Sequence, residues 1–208
     1  LRPPGERKYS GIYTDPEVAL LMKYGRVGVN KYKGRQLMHE PMFLNALRML
    51  IDYERPSHVL EFGSFQGGLT SFMSDSAIMH GHNMSITSFD WDIYESPNQP
   101  AIPSTEFICL DVFDINNYVA DNHDFITGIT GIKMVIDDIG ENTEQLFMAL
   151  DPYMNVGDHF ICCHTLDEKI HDALMSVAAP NYAVNTVACD AFGENFIENP
   201  NGFLVKIA

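Results

Sequence analysis

The chain has 208 residues, with 13 basic and 28 acidic side chains, a formal net charge of −15, and 46% hydrophobic and 20% charged residues. That is the length and composition of one globular domain, able to bury roughly 70% of its unfolded surface without disulfides or a structural metal. The acidic balance repels phosphate backbones and no Lys/Arg cluster offers a local exception, so a nucleic-acid partner is not expected; nor is a membrane one, since no run approaches the ~20 apolar residues of a span.

The opening segment, Leu1-Arg2-Pro3-Pro4, carries no apolar signal core. The four cysteines, two of them adjacent at 162 and 163, lack the spacing of a disulfide framework, so a reduced, cytoplasmic setting is expected. No element is expected over the first 35 residues, which read as an extension or lid on a domain spanning 36–208. A helix should begin after Glu40, with Pro41 at its first position and Phe43, Leu44, Leu47, Leu50 and Ile51 at helical spacing. The first strand, 58–62, runs into a Gly-rich turn and a second helix carrying Leu69, Phe72, Met73 and Ala77. Strands follow at 85–90, 105–110, 132–137 and 159–164. A helix near Asn142 is expected to use Gln145 as a capping-box partner, and another covers about 167–178 before Pro180. The last two strands, 183–189 and 202–207, are separated by a segment too short for a crossover helix, so they should pair antiparallel.

Alternating strands and helices predict βαβ units in a mostly parallel sheet, with functional residues at the strand C-termini. Five parallel strands closed by an antiparallel pair specify a seven-stranded sheet of order 3-2-1-4-5-7-6, a Rossmann-like class I methyltransferase fold. A nucleotide-dependent dehydrogenase more often ends in a further parallel crossover.

The sharpest motif is Glu61-Phe62-Gly63-Ser64-Phe65-Gln66-Gly67-Gly68, where a strand meets a helix. Gly63 is free to adopt a backbone conformation closed to other residues, and Gly67 would let a ligand approach the main chain, with Ser64 and Phe65 between them. Glycines also end strands for steric reasons alone. Glu61 suits an amino-acid ammonium, or a water bridging to it, better than a pyrophosphate. Asp90 closes the next strand, 27 residues after Gly63, where a carboxylate can accept both ribose hydroxyls of a nucleoside. Trp91 is placed to flank the adenine. The alternative for Asp90 is a turn or helix cap. Asp111-Val112 ends the third strand near the adenine amino group, with Asp114 as a competing cap.

These residues, taken in order, resemble the cephalosporin hydroxylase family. The resemblance spans roughly 32–208. It rests on Lys33-Gly34 before the Pro41 helix, Arg55-Pro56 leading into Leu60-Glu61-Phe62-Gly63, Gly67-Gly68, and Val135-Ile136-Asp137-Asp138. Leu150-x-Pro152 to Gly157 and the closing Asn199-Pro200-Asn201-Gly202-Phe203-Leu204 complete it. It implies O-methylation of a small-molecule hydroxyl, of the sugar or natural-product kind, from S-adenosylmethionine. It also implies a divalent metal, Mg or Mn, held by an Asp after the fourth strand and an acidic pair after the fifth. Asp137 matches the first position, and with the nucleoside motifs it joins the expected cofactor site. The pair falls instead on Cys163-His164, and the family's Asp-His after the fourth strand is missing.

Asp137 and His164 nonetheless belong at the same sheet edge, because the fourth and fifth strands are neighbours about 4.8 Å apart. Three roles are open to His164: general base with Asp137 as its support, metal ligand with Asp137 and Asp138, or cap of the following helix. Imidazole would tilt the metal preference from Mg²⁺ towards Mn²⁺, Fe²⁺ or Zn²⁺. Cys162 and Cys163 read as core thiols on opposite faces of a strand. Two rival functions share the motifs: a dinucleotide-binding oxidoreductase, and a non-catalytic binding protein on a methyltransferase scaffold. A homo-oligomer is compatible with either.

Overall fold

The structure is a computed structural model, and it describes residues 1–4, 31–92, 101–111, 114–140, 142–191 and 199–208. Seven strands form one sheet: β1 (His58–Phe62), β2 (Ser85–Asp90), β3 (Thr105–Cys109), β4 (Lys133–Asp137), β5 (His159–Cys162), β6 (Tyr182–Val184) and β7 (Phe203–Lys206). Their order is β3-β2-β1-β4-β5-β7-β6. Strands β1 to β5 pair in parallel, and β7 is antiparallel to both its neighbours. The order and the single reversed strand are those expected from the sequence.

β4 is buried from end to end and β1 from Val59 onward, because a parallel sheet carries helices on both faces. The helices are α1 (Pro41–Glu54), α2 (Gly68–Met79), α3 (Ile115–Asp121), α4 (His123–Gly128), α5 (Thr143–Leu150), α6 (Glu168–Ala178) and α7 (Thr186–Cys189). α1, α2 and α7 pack as one group and α3, α5 and α6 as another, one group to each face. α1 starts on Pro41 and buries the apolar stripe of its sequence. It stops where Arg55 enters the left-handed region at φ 50° and donates to the Ile51 carbonyl at 3.1 Å, immediately before Pro56. α6 is capped by Asp167, whose carboxylate accepts from the Lys169 N–H at 2.9 Å. No helix of the described residues is long and apolar enough to cross a membrane.

Several expectations change. The strand expected over 183–189 ends at Val184, because Asn185 accepts from the Ala188 N–H at 3.2 Å and caps α7. The strand expected over 159–164 ends at Cys162 and turns at Cys163. Asn142 caps α5 without a side-chain hydrogen bond, so the capping box is not formed; Thr143 instead donates to the Gly140 carbonyl at 2.8 Å. Helices α3 and α4 fill the crossover between β3 and β4, for which no helix was named from the sequence. A two-strand hairpin, Lys31–Tyr32 with Arg35–Gln36, precedes α1. It lies on α2, held by Tyr32 and Lys33 on the Asp75 carboxylate at 2.8 and 2.6 Å.

The register decides what faces the sheet edge. Phe62 pairs with Phe89 and with Asp137, and Asp137 pairs with Cys162. The ladder runs one residue further: Gly63 and Asp138 donate to the Phe89 and Phe62 carbonyls, and Cys163 to that of Asp137, each at 2.8 Å. Gly63, Asp90, Asp138 and Cys163 therefore form the next row, at the C-terminal edge.

Candidate functional site

A cleft of about 320 Å³ opens at that edge, between β1 and β4, where the strand order reverses. Such a switch point is where ligands enter open α/β sheets. Its walls come from Gln36–His39 after the hairpin, Gly63-Ser64-Phe65 after β1, Asp90 and Trp91 after β2, and Asp138-Ile139 after β4.

The Gly-rich turn needs its glycines for different reasons. Gly63 sits at φ 94°, and a Cβ there would stand 2.6 Å from the Asp138 carbonyl oxygen. A Cβ on Gly68 would stand 2.0 Å from the Gln36 carbonyl oxygen, so this residue admits the hairpin. Gly67, at φ 72°, faces Arg35, Phe107 and Ile102, and is not among the cleft's walls. Phe65 is also left-handed, at φ 47°. Its N–H is held by Asp90 Oδ2 at 2.5 Å, while Asp90 Oδ1 accepts from the Asp92 N–H at 3.4 Å. A carboxylate has about four acceptor positions, so Asp90 can both clamp the turn and take ribose hydroxyls. Trp91 lies over the mouth, 72% exposed.

Glu61 lies fully buried beneath the turn. Its Oε2 accepts from Thr70 and Ser88, both at 2.5 Å, while Oε1 has no partner among the described residues. Burial pushes its carboxyl up to about 7, against the pull of those two hydroxyls. Asp111 is exposed and outside the cleft's walls, and Val112 lies outside the described residues.

Asp137 is fully buried on the opposite face from the cleft's walls. It accepts from the Ile139 N–H at 3.3 Å, and burial raises its carboxyl to about 6, against the pull of the neighbouring Thr143 hydroxyl. The carboxylate that meets His164 is that of Asp138, the next residue. Side chains alternate along a strand, so a step of one changes the face. Asp138 Oδ1 stands 3.1 Å from His164 Nε2, in ion-pair contact but off the alignment of a good hydrogen bond. Its Oδ2 takes a hydrogen bond from His39 Nε2 at 3.2 Å. Burial alone would raise the Asp138 carboxyl, but the two imidazoles outweigh it and hold the group down at about 2. Asp138 in turn raises His164 above the usual imidazole range, against burial.

Sequence reasoning missed His39. It precedes Glu40-Pro41 at a helix start, with nothing in the spacing to tie it to residue 138, and only the hairpin's seat on α2 brings it into the cleft. Its ring packs against Phe43 at 4.8 Å. Cys163 was expected to be a core thiol. Its Sγ, the Asp138 carboxylate and a His39 ring nitrogen lie within 4.8 Å of one another, a grouping able to hold a metal ion. The closing Asn199-Pro200-Asn201-Gly202 is structural: Asn199 donates to the Cys162 carbonyl at 3.1 Å, and Asn201 meets the buried His171 at 3.0 Å.

No family model and no curated protein matches the chain. Solved structures do. The chain is similar to CmcI in its D160 form with Mg-SAM, at 16% identity and a TM-score of 0.69, over 86% of this chain and 76% of that one. The apo N160 form gives 15% identity and 0.68 over the same shares. The N160 form with SAH gives 15% and 0.65, over 86% and 82%. With the strand order above, these likenesses establish that the chain has the Rossmann-like class I methyltransferase fold.

Proposed function

We propose that the protein transfers a methyl group from S-adenosylmethionine to a hydroxyl of a small molecule. The observation that carries this reading is the cleft at the β1/β4 switch point, walled by a left-handed turn and by the Asp90 and Trp91 that follow β2, with Asp90 holding the turn. When bound, the cofactor supplies an electrophilic methyl on a sulfonium and leaves as a neutral thioether.

The protein's own residues position and take up the proton. Asp90 accepts the ribose hydroxyls while fixing the turn, Trp91 and Ile139 flank the base, and the Gly63–Phe65 main chain runs along the nucleoside. Holding the two reactants together removes several kcal/mol of entropic barrier. His164, with Nε2 turned to the Asp138 carboxylate 3.1 Å away, keeps Nδ1 to receive the acceptor's proton, and Asp138 stabilises the imidazolium that results. Asp137, turned towards Thr143 and Cys162, supports the loop on which Asp138 sits.

Magnesium, which the resemblance implies, demands an octahedral shell of oxygens. The donors here are imidazole, thiol and a single cleft-facing carboxylate, and they do not fit it, so the proton route above runs without it.

Calorimetry with S-adenosylhomocysteine and, separately, NAD tests the reading. Binding of the first and not the second is expected, and the reverse would revive the oxidoreductase. Once an acceptor is in hand, His164→Ala should lower turnover at least ~100-fold with cofactor affinity nearly unchanged.

A further inference from the structure

We propose that His39, Asp138 and Cys163 form a binding site for a thiophilic divalent ion of the zinc class. Three different donors converge from three separate elements: an imidazole nitrogen from the segment before α1, a carboxylate oxygen after β4 and a thiol after β5. Zinc bonds of ~2.0–2.1 Å to N or O and ~2.3 Å to S, at tetrahedral angles, set ligand atoms roughly 3.3–3.7 Å apart. His39 Nε2 and Asp138 Oδ2 already stand 3.2 Å apart, and all three donor atoms fall within 4.8 Å. Small side-chain rotations close the remaining gap.

The chemistry of the set selects the ion. Thiolate and imidazole favour zinc and its borderline-soft neighbours over magnesium or calcium. With Cys163 deprotonated, two negative charges and a neutral imidazole balance a dication. The surroundings hold the set in place: His39 is 7% and Cys163 8% exposed. The Asp138 oxygen that does not face His39 is engaged by His164, and the His39 ring is steadied by Phe43. Such outer contacts commonly orient ligands and raise their affinity. Asp138 and His39 also line the cleft, which leaves the fourth position to water or a bound molecule. Three protein ligands and one open position is the arrangement of catalytic rather than structural zinc.

Binding must release the Cys163 proton, so affinity should rise with pH. Cobalt reports the thiolate directly. Protein stripped with a chelator and titrated with Co²⁺ should bind one ion. It should show a thiolate-to-cobalt charge-transfer band in the near ultraviolet, removed by equimolar Zn²⁺ and untouched by a large excess of Mg²⁺. Cys163→Ser should abolish the band, and His39→Ala should weaken binding at least about tenfold. Cys109→Ser, at an exposed cysteine on the far strand, should leave it intact. Absence of the band in the unmodified protein, or its survival in Cys163→Ser, overturns the proposal. Should Cys163→Ser fail to fold, unchanged affinity in His39→Ala overturns it equally. Cobalt spectra without nucleoside test this site alone, while S-adenosylhomocysteine calorimetry on metal-free protein tests the methyl-transfer reading alone.

Discussion

Glu61 should make the protein less stable as pH rises, and Glu61→Gln should remove that dependence. Its side chain is wholly buried, one oxygen accepts two hydroxyls and the other has no partner among the described residues. Burial lifts its carboxyl from 4.5 to about 7. The folded state therefore holds a proton that the unfolded chain gives up near pH 4.5. Between those two values folding becomes progressively less favourable, and above about 7 the full penalty is reached. At 1.36 kcal/mol per unit, the shift is worth about 3 kcal/mol. The glutamine of Glu61→Gln is isosteric, keeps one acceptor for Thr70 and Ser88, and cannot ionise. Urea unfolding from about pH 4 to about pH 8, in chelator so that no cation neutralises the site, measures the difference between the two proteins. The Glu61→Gln variant should gain about 3 kcal/mol on the unmodified protein over that range. Parallel profiles would mean that Glu61 is ionised in the fold, or reached by water, and would refute the reasoning.

Three further outcomes are expected. Asp90→Ala should weaken S-adenosylhomocysteine binding by about 1.5–3 kcal/mol, the worth of hydrogen bonds to a charged acceptor, and unchanged affinity in calorimetry would remove Asp90 from the site. Gly68→Ala drives a methyl into the Gln36 carbonyl, so it should cost about 1–3 kcal/mol in thermal unfolding. Because Gln36–His39 wall the cleft, it should also weaken ligand binding; a neutral result in both would show that the hairpin is not seated on α2. Asp158→Ala strips the partner from fully buried Lys133, 2.9 Å away. It also frees the Lys133 and Asn155 N–H groups that Asp158 holds at 2.8 and 2.6 Å, and should cost about 3–5 kcal/mol in denaturant unfolding.

The sequence by itself determined the sheet. The parallel strands announce themselves as short apolar runs, several of them ending at a polar residue, and the short gap before the last strand permits only antiparallel pairing. The Gly63 turn and Asp90 were legible for the same reason, since both lie at strand ends in continuous stretches of chain. What the sequence left open was which side of the edge each residue would take. Asp137 and Asp138 are adjacent in chain and chemically alike, and only the register of β4 turns the first into the core and the second into the cleft. Cys163 is the buried core thiol expected, but because β5 ends one residue before it, its sulfur also lies beside Asp138 and His39. His39 was invisible, for its partner lies 99 residues away. Local periodicity reports burial and element type, but contacts between distant segments depend on how a hairpin packs on a helix, and that is decided only when the whole chain has folded.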